Sequence, residues 1–572
     1  MAQQNGHHGH RQNGHSQNGR QRNKQRHRGR LELTWTNKDE ALLAHEDGSY
    51  EWVPRSDYRV AEVRLLDEHG AVGEVAGTTA DNLLIRGDAL NALTSLSRLS
   101  PFAEEYAGKV KLAYLDPPFN TQQSFLQYDD ALEHSVWLTM MRDRLAQVKD
   151  LLSLEGSVWV HCDDSEQAHL RVLMDELFGR EQFIATIVWQ KRYSRDNRPA
   201  IGTVHDYILV YAPMGGEWKR VRNRIPREAA KEYRNPNNDP QGPWRPIPMD
   251  AQGYRPNQMY EIVAPSGKVW VPPKGRCWSM VQERYVELLA DGPVDLPSRM
   301  GRIYFGKDGN GRPNVIRYLH EDEGLVPWTW WPSSEVGHND EAKKEQLELS
   351  PDIEAFDTPK PERLMSRIIQ IATDPGDIVL DPFVGSGTTA AVAHKMDRRW
   401  IAGERSLATV ETYARPRLGK VVAGDDPGGV TEKVGWMGGG GFRVLDVAPS
   451  MFEDAGGVVL LAEWATNGQL SAATAAQLGF QHQLDPPFSG HKGHQRLAVI
   501  DGLVNRGVIE LLVRSVGEGE SIVVCGTAVA DDAGEHLRQA LPGSRVRKIP
   551  ASLLAEYRLA SKPTPDQLGH RG

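Results

Sequence analysis

Two short apolar runs, each closed at once by an aspartate and proline, constrain this chain more than anything else in it. One is Ile378–Leu380, which passes into Asp381-Pro-Phe-Val-Gly-Ser-Gly-Thr-Thr389. An apolar run, a glycine-rich turn and then a helical pattern from about Thr388 to Met396 predict a buried strand, a tight corner and a helix. Such a corner aims backbone N–H groups and the positive end of a helix dipole at whatever lies beyond the strand. Gly385 and Gly387 permit tight turning and close approach of backbone to a ligand. The next strand, Trp400–Ala402, ends near Glu404, where a nucleotide-binding α/β fold sets a carboxylate to accept ribose hydroxyls. The loop is neither GxGxxG nor a phosphate loop, because no lysine precedes its threonines. An adenosine without phosphates fits it better than a dinucleotide or ATP.

The other run, Val110–Leu115, ends in Asp116-Pro117-Pro118-Phe119. Two consecutive prolines after a buried strand form a stiff, extended corner with no N–H donors. It presents a carboxylate, carbonyls and an aromatic ring. That set suits an exocyclic amine: Asp116 and the Pro117 carbonyl accept its two hydrogens, and Phe119 stacks on the attached ring. Both corners fall within βαβ patterning. Trp137–Leu152 carries apolar residues at helical spacing, Ser157–Cys162 reads as a strand and Ala168–Phe178 as a helix. Pro361–Thr373 reads as a helix that leads into the second corner.

Together these residues resemble the β-class amino-methyltransferases of DNA, in which the catalytic motif (here Asp116–Phe119) precedes the cofactor motif (here Asp381–Thr389). Three stretches resemble the Mod subunits of type III restriction–modification systems: Asn82–Asn91, Lys109–Thr121 and Thr358–Leu364. The resemblance implies an α/β, Rossmann-like sheet that binds S-adenosyl-L-methionine, with an inserted target-recognition domain and a C-terminal α/β accessory domain. It implies an adenine-N6 DNA methyltransferase acting by base flipping and direct displacement, with Asp116, Pro117, Pro118 and Phe119 catalytic. Asp88 would contact the cofactor's adenosine, Phe356, Thr358 and Lys360 its methionine end, and Asp381, Phe383, Gly385 and Gly387 the same pocket. Thr388 and Glu404 complete the cofactor set. Phe119 stands where many relatives have Tyr or Trp, which preserves stacking and removes a hydroxyl. An N4-cytosine enzyme, an RNA or protein amine methyltransferase and a DNA-binding specificity subunit with vestigial activity stay open. C5-cytosine chemistry needs a nucleophilic cysteine, typically after proline, and no Pro-Cys pair occurs.

The expected organisation is a basic His/Gln/Asn-rich disordered tail (1–30), a catalytic half (31–190), a target-recognition insert (191–346), a cofactor half (347–424) and an interaction domain (425–572). Gly438–Gly441 reads as a flexible hinge. The net charge of −9 hides a local excess: between Lys191 and Arg234 there are eleven Lys/Arg against five Asp/Glu. Tyr193, Trp218, Tyr233 and Trp244 lie in or beside that strip, as phosphate contact and base approach require. Lys191, Arg192, Arg195, Arg220, Arg222 and Arg224 are therefore the expected DNA contacts. Three widely spaced cysteines argue against disulfides and a zinc cluster and fit the cytoplasm. No metal and no membrane span is expected. The expected partners are double-stranded DNA, a second copy of the chain and, through the type III resemblance, an ATP-dependent restriction subunit.

Overall fold

A computed structural model describes residues 31–44, 50–120, 133–194, 200–226 and 232–560. The expected tail and Arg195 lie outside the described residues. At the centre is a ten-stranded mixed sheet. In chain order its strands are β1 (Leu66–Gly73), β2 (Asn82–Arg86), β3 (Val110–Leu115), β4 (Leu152–Cys162), β5 (Phe183–Gln190), β6 (His205–Tyr211), β7 (Trp330–Trp331), β8 (Ile378–Asp381), β9 (Arg399–Glu404) and β10 (Gly441–Val447). Across the sheet the order is β7-β5-β6-β4-β3-β8-β9-β2-β10-β1. Six neighbours, β4 to β10, run parallel; β6 and β1 flank them antiparallel.

The strand sequences explain the layers. Leu83 and Ile85 point to one face and Leu84 to the other; Ala113 and Leu115 oppose Leu112 and Tyr114 in the same way. Burial on both faces is why these strands read as continuous apolar runs rather than alternating ones. One face is covered by α1 (Ala89–Arg98), α2 (His134–Leu151) and α3 (Gln167–Phe178), the other by α4 (Glu362–Ala372), α5 (Thr388–Lys395) and α6 (Arg415–Ala423).

β3 and β8 are adjacent and parallel, with Val379 beside Leu112 and Leu380 beside Ala113. From β3 the chain winds one way, to β4; from β8 it winds the other way, to β9. This is the topological switch point of an open α/β sheet, where a crevice forms beyond the carboxyl ends of the strands. Both motifs open into it.

The sheet draws in more of the chain than the sequence suggested. β6 and β7, expected in the insert, are strands of the sheet. The self-contained part of the insert runs from about Tyr233 to Leu325, with a five-stranded antiparallel sheet and a core of Met249, Ile262, Trp278, Leu288 and Phe305. β10, expected beyond the catalytic core, lies between β2 and β1. Gly438–Gly441 is correspondingly not a hinge: Gly439 N–H donates to the Val422 carbonyl at 2.8 Å, and His394 Nε2 donates to the Gly439 carbonyl at 2.9 Å.

The C-terminal region is a small α/β unit with strand order β11 (Gln481–Asp485), β12 (Phe488–Lys492), β13 (Gln495–Val504), β14 (Ser521–Val529) and β15 (Arg545–Lys548). It shares an apolar cluster with the catalytic sheet through Met451, Phe452, Leu470 and Tyr557. Among the described residues no helix is long and apolar enough to cross a membrane.

Candidate active site

The corner after β3 is built by its neighbours. Pro117 is buried, and the wholly buried Trp137 of α2 donates its indole N–H to the Pro118 carbonyl at 2.6 Å. Asn120 turns the chain with a positive φ of 62°, a conformation asparagine tolerates, and its Nδ2 donates to Glu166 Oε1 at 2.7 Å. Phe119 stacks on His161 of β4, with centroids 5.4 Å apart and planes 27° apart.

Lys360 Nζ donates to Asp116 Oδ2 at 2.5 Å and sits 5.3 Å over the Phe119 ring. Asp116 Oδ1 is buried and has no hydrogen-bond partner among the described residues. A buried, unpartnered carboxylate oxygen costs free energy unless a ligand supplies a donor. One oxygen of Asp116 is thus fixed by Lys360, and the other has no donor among the described residues. Lys360, expected beside the cofactor's methionine end, is bonded to Asp116.

Behind the ring is a network the sequence did not signal as functional. The Tyr114 hydroxyl meets His161 Nδ1 at 3.0 Å, His161 Nε2 lies 3.4 Å from Asp206 Oδ2, and Lys191 Nζ pairs with Asp206 Oδ1 at 2.5 Å. Burial pushes the His161 pKa down, towards the neutral imidazole. Lys191, an expected DNA contact, is thus tied to a buried carboxylate. A histidine near the end of an otherwise apolar strand, in its buried stretch Gly156–Cys162, was the available clue.

The second corner follows β8. Gly385 and Gly387 have φ of 49° and 84°, in the left-handed region, and Gly387 caps α5. A Cβ on Gly385 would stand 3.4 Å from the Phe356 ring, which covers the turn and meets Tyr413 edge-on at 5.4 Å. Asp381 Oδ1 accepts the Phe383 N–H at 3.0 Å. Burial pushes the Asp381 carboxyl up to about 7; hydrogen bonds from Thr389 and Phe383 oppose that rise, and the charges of Asp116 and Glu404 add to it. Glu404, at the end of β9, accepts the N–H groups of Gly385 (3.2 Å) and Ser406 (2.9 Å), and burial raises its pKa against those bonds. Thr388 receives Arg417 Nη1 at 2.9 Å and its hydroxyl meets Ser386, so it fastens the helix from behind. Thr358 is half-buried in the segment between Phe356 and Lys360.

Asp88 caps α1 through Leu90 N–H at 2.8 Å, and Arg144 Nη2 grips both of its oxygens at 2.9 and 2.8 Å. Burial alone would raise its pKa; Arg144, the Leu90 N–H and Arg405 outweigh that and lower it. Arg144 was missed, although the spacing Trp137, Met141, Arg144, Val148 sets it on the apolar stripe of α2. Asp88 and Glu404 share one edge, since Gly87 N–H donates to the Glu404 carbonyl at 3.0 Å.

A cofactor with an adenosine and no phosphates fits this crevice. It has carboxylates at the ends of β9 and β2, a glycine turn without Cβ atoms under an aromatic ring, and no lysine in the turn.

The expected DNA contacts separate. Arg192 and Tyr193 are exposed just after β5, at the edge that carries Asp116. Arg220, Arg222 and Arg224 lie at the opposite edge. Their segment is anchored by the Trp218 indole N–H on the Glu155 carbonyl at 3.1 Å, near the start of β4, and by Asn223 N–H on the Ile371 carbonyl at 2.8 Å, ahead of β8. Arg220 pairs with Glu217 at 2.7 Å and Arg224 with Glu323 at 2.8 Å. Trp218, Tyr233 and Trp244 are buried, so of the four aromatics only Tyr193 faces solvent.

His134, Glu166 and His169 also come together, with ligand atoms within 4.8 Å of one another, beside Asn120.

A switch-point crevice with an Asp-Pro-Pro-Phe corner on one strand and a glycine turn on its neighbour is the plan of a Rossmann-like α/β fold. The chain belongs to the DNA methylase family, whose pattern its residues 110–415 match. The StyLTI Mod subunit, a type III restriction-modification protein of Salmonella typhimurium, is 30% identical over 411 residues, 62% of this chain and 59% of that one. The type II methyltransferase M.EcaI of Enterobacter cloacae is 31% identical over 328 residues, 55% of this chain and 67% of that one. The EcoP15I Mod subunit of Escherichia coli is 25% identical over 437 residues, 63% and 64% of the two chains. The chain thus spans less than two thirds of the length of these Mod subunits.

Proposed function

We propose that this protein transfers a methyl group from S-adenosyl-L-methionine to the exocyclic amine of a base in double-stranded DNA, adenine N6, at a specific sequence. The observation that carries the reading is Asp116: one carboxylate oxygen is held by Lys360, and the other is buried without a partner at the switch point.

A base inside a duplex must be flipped out to reach that point, at a cost of a few kcal/mol. Asp116 Oδ1 and the Pro117 carbonyl accept the two amine hydrogens, which localises the nitrogen lone pair and aims it across the gap between β3 and β8. Phe119 stacks on the base with His161 behind it. Glu404 and Asp88 hold the ribose and adenosine side of the cofactor, and the Gly385–Gly387 turn lets it lie close to the backbone. The cofactor, when bound, supplies an electrophilic methyl group on a sulfonium. Positioning is then the chief contribution of the protein. An aspartate rather than a serine at position 116 supports adenine over cytosine. Arg192 and Tyr193 approach the duplex from the catalytic edge.

We further propose that the protein works in the cytoplasm as a homodimer beside a separate ATP-dependent restriction subunit; the likeness to proteins named as type III Mod subunits supports the restriction–modification setting alone. The test is modification-sensitive sequencing of DNA from cells expressing the chain or its Asp116→Ala variant. N6-methyladenine at one motif, absent with the variant, is the expected result. An unmarked genome with the intact chain removes the reading.

A further inference from the structure

We propose that His134, Glu166 and His169 bind one divalent transition-metal ion, which clamps the far end of the catalytic corner. His134 is the first residue of α2, Glu166 caps α3, and His169 lies one turn into α3. Glu166 is wholly buried, and among the described residues its ion-pair partners are these two histidines. His134 Nδ1 meets Glu166 Oε1 at 2.5 Å and His169 Nδ1 meets Oε2 at 2.9 Å, while the two rings lie 5.6 Å apart, edge to face. Both imidazole nitrogens thus converge on a carboxylate that water does not reach.

The donor set selects the ion. Two imidazoles and one carboxylate suit zinc, cobalt or nickel, whereas magnesium and calcium take oxygen cages. Bonds of about 2.0–2.1 Å to each ligand would part the donor atoms to roughly 3.3 Å in a tetrahedral site. Side chains that are 63% and 44% exposed can open by that amount and give an ion entry from solvent. Three protein ligands leave a position for water. Glu166 also receives Asn120 Nδ2, so an ion on Glu166 is one residue removed from Phe119. Its effect belongs to base placement, and the binding itself does not rest on the methyltransferase reading.

The terminal segment carries five histidines of its own (His7, His8, His10, His15 and His27), which the test must silence. The full-length chain with those five replaced by glutamine is stripped with a chelator and titrated with Co²⁺, following visible absorption, and with Zn²⁺, by calorimetry. One equivalent per chain is expected. In the same background His134→Ala and His169→Ala should each weaken binding by at least about 100-fold, since losing even an outer hydrogen-bond partner costs up to that much. Far-UV circular dichroism checks their fold. A second measurement needs no substitution: Zn²⁺ should protect His134 and His169, read peptide by peptide, from diethylpyrocarbonate. Failure of the glutamine-substituted chain to bind, unchanged binding in the alanine variants, or unprotected histidines would each overturn the site. Bound metal without DNA methylation would sink the function and leave the site standing.

Discussion

Replacing Lys360 by methionine separates two roles for that residue, because the ammonium is lost while most of the stem's volume stays. The Lys360 and Asp116 side chains are 8% and 19% exposed, so their pair is little screened by water. A hydrogen bond to a charged partner in such a place contributes about 1.5–3 kcal/mol. If its work is to fix the rotation of Asp116, losing about 2 kcal/mol of positioning slows transfer about 30-fold at 1.36 kcal/mol per decade. S-adenosyl-L-methionine affinity should then change by less than about twofold, because Lys360 Nζ contacts Asp116 and the Phe119 ring. Single-turnover transfer of a labelled methyl group to duplex DNA gives the rate, and calorimetry gives the cofactor Kd. Lys360→Arg, which keeps the charge, should recover part of the rate. A cofactor Kd raised tenfold or more with the rate intact would return Lys360 to the methionine end and refute the positioning argument.

Glu404→Ala should weaken cofactor binding about 10- to 100-fold, the equivalent of one charge-assisted hydrogen bond, and an unchanged Kd by calorimetry would contradict the ribose assignment. Asp381→Asn should alter the pH dependence of stability. A carboxyl raised to about 7 in the folded chain takes up a proton on folding, so its contribution is fully present below about pH 4 and is lost as pH rises to 7, by about 1.4 kcal/mol per unit. The variant should therefore gain Tm relative to the parent between pH 5 and 7, and parallel melting curves would exclude the shift. Replacing Arg220, Arg222 and Arg224 by alanine should leave the salt slope of DNA binding within 0.9, the value of one phosphate contact, whereas Arg192→Ala should lower it by about 0.9. A slope reduced by two or more in the triple variant would put the opposite edge on DNA.

The two corners were legible because each is a local pattern: a strand buried on both faces, then residues with restricted or unusual backbone preferences. That they stand side by side, Leu112 against Val379, is a long-range pairing no local window contains. β10 was hidden behind the glycine run Gly438–Gly441 at its start, and β6 because its apolar run is only five residues, Tyr207–Tyr211, among charged and proline-rich neighbours. The basic strip shows how far charge counting reaches. Sequence gives the number of arginines, while the direction of β6 decides that Arg220–Arg224 emerge on the far edge. Aromatic spacing failed for a related reason: Trp218 packs on Trp159 at 6.3 Å. The histidine–glutamate group left only Glu166 and His169 three apart as a signal, with His134 supplied by the fold.

β10 also sets a timetable. It threads between β2 and β1, so the catalytic sheet stays open between its early strands until Val447 has left the ribosome. At about 5–20 residues per second, the edges of β2 and β1 wait roughly 20–70 s for the strand that joins them. Nascent chains of this protein thus spend most of their synthesis with one edge of the apolar strand β2 uncovered, the kind of unpaired edge that exposes a folding intermediate to aggregation. A chain cut short anywhere before β10 lacks an interior strand of its catalytic sheet. Truncated translation products should be cleared rather than accumulate as partly active enzyme, which ties the appearance of activity to the completion of synthesis.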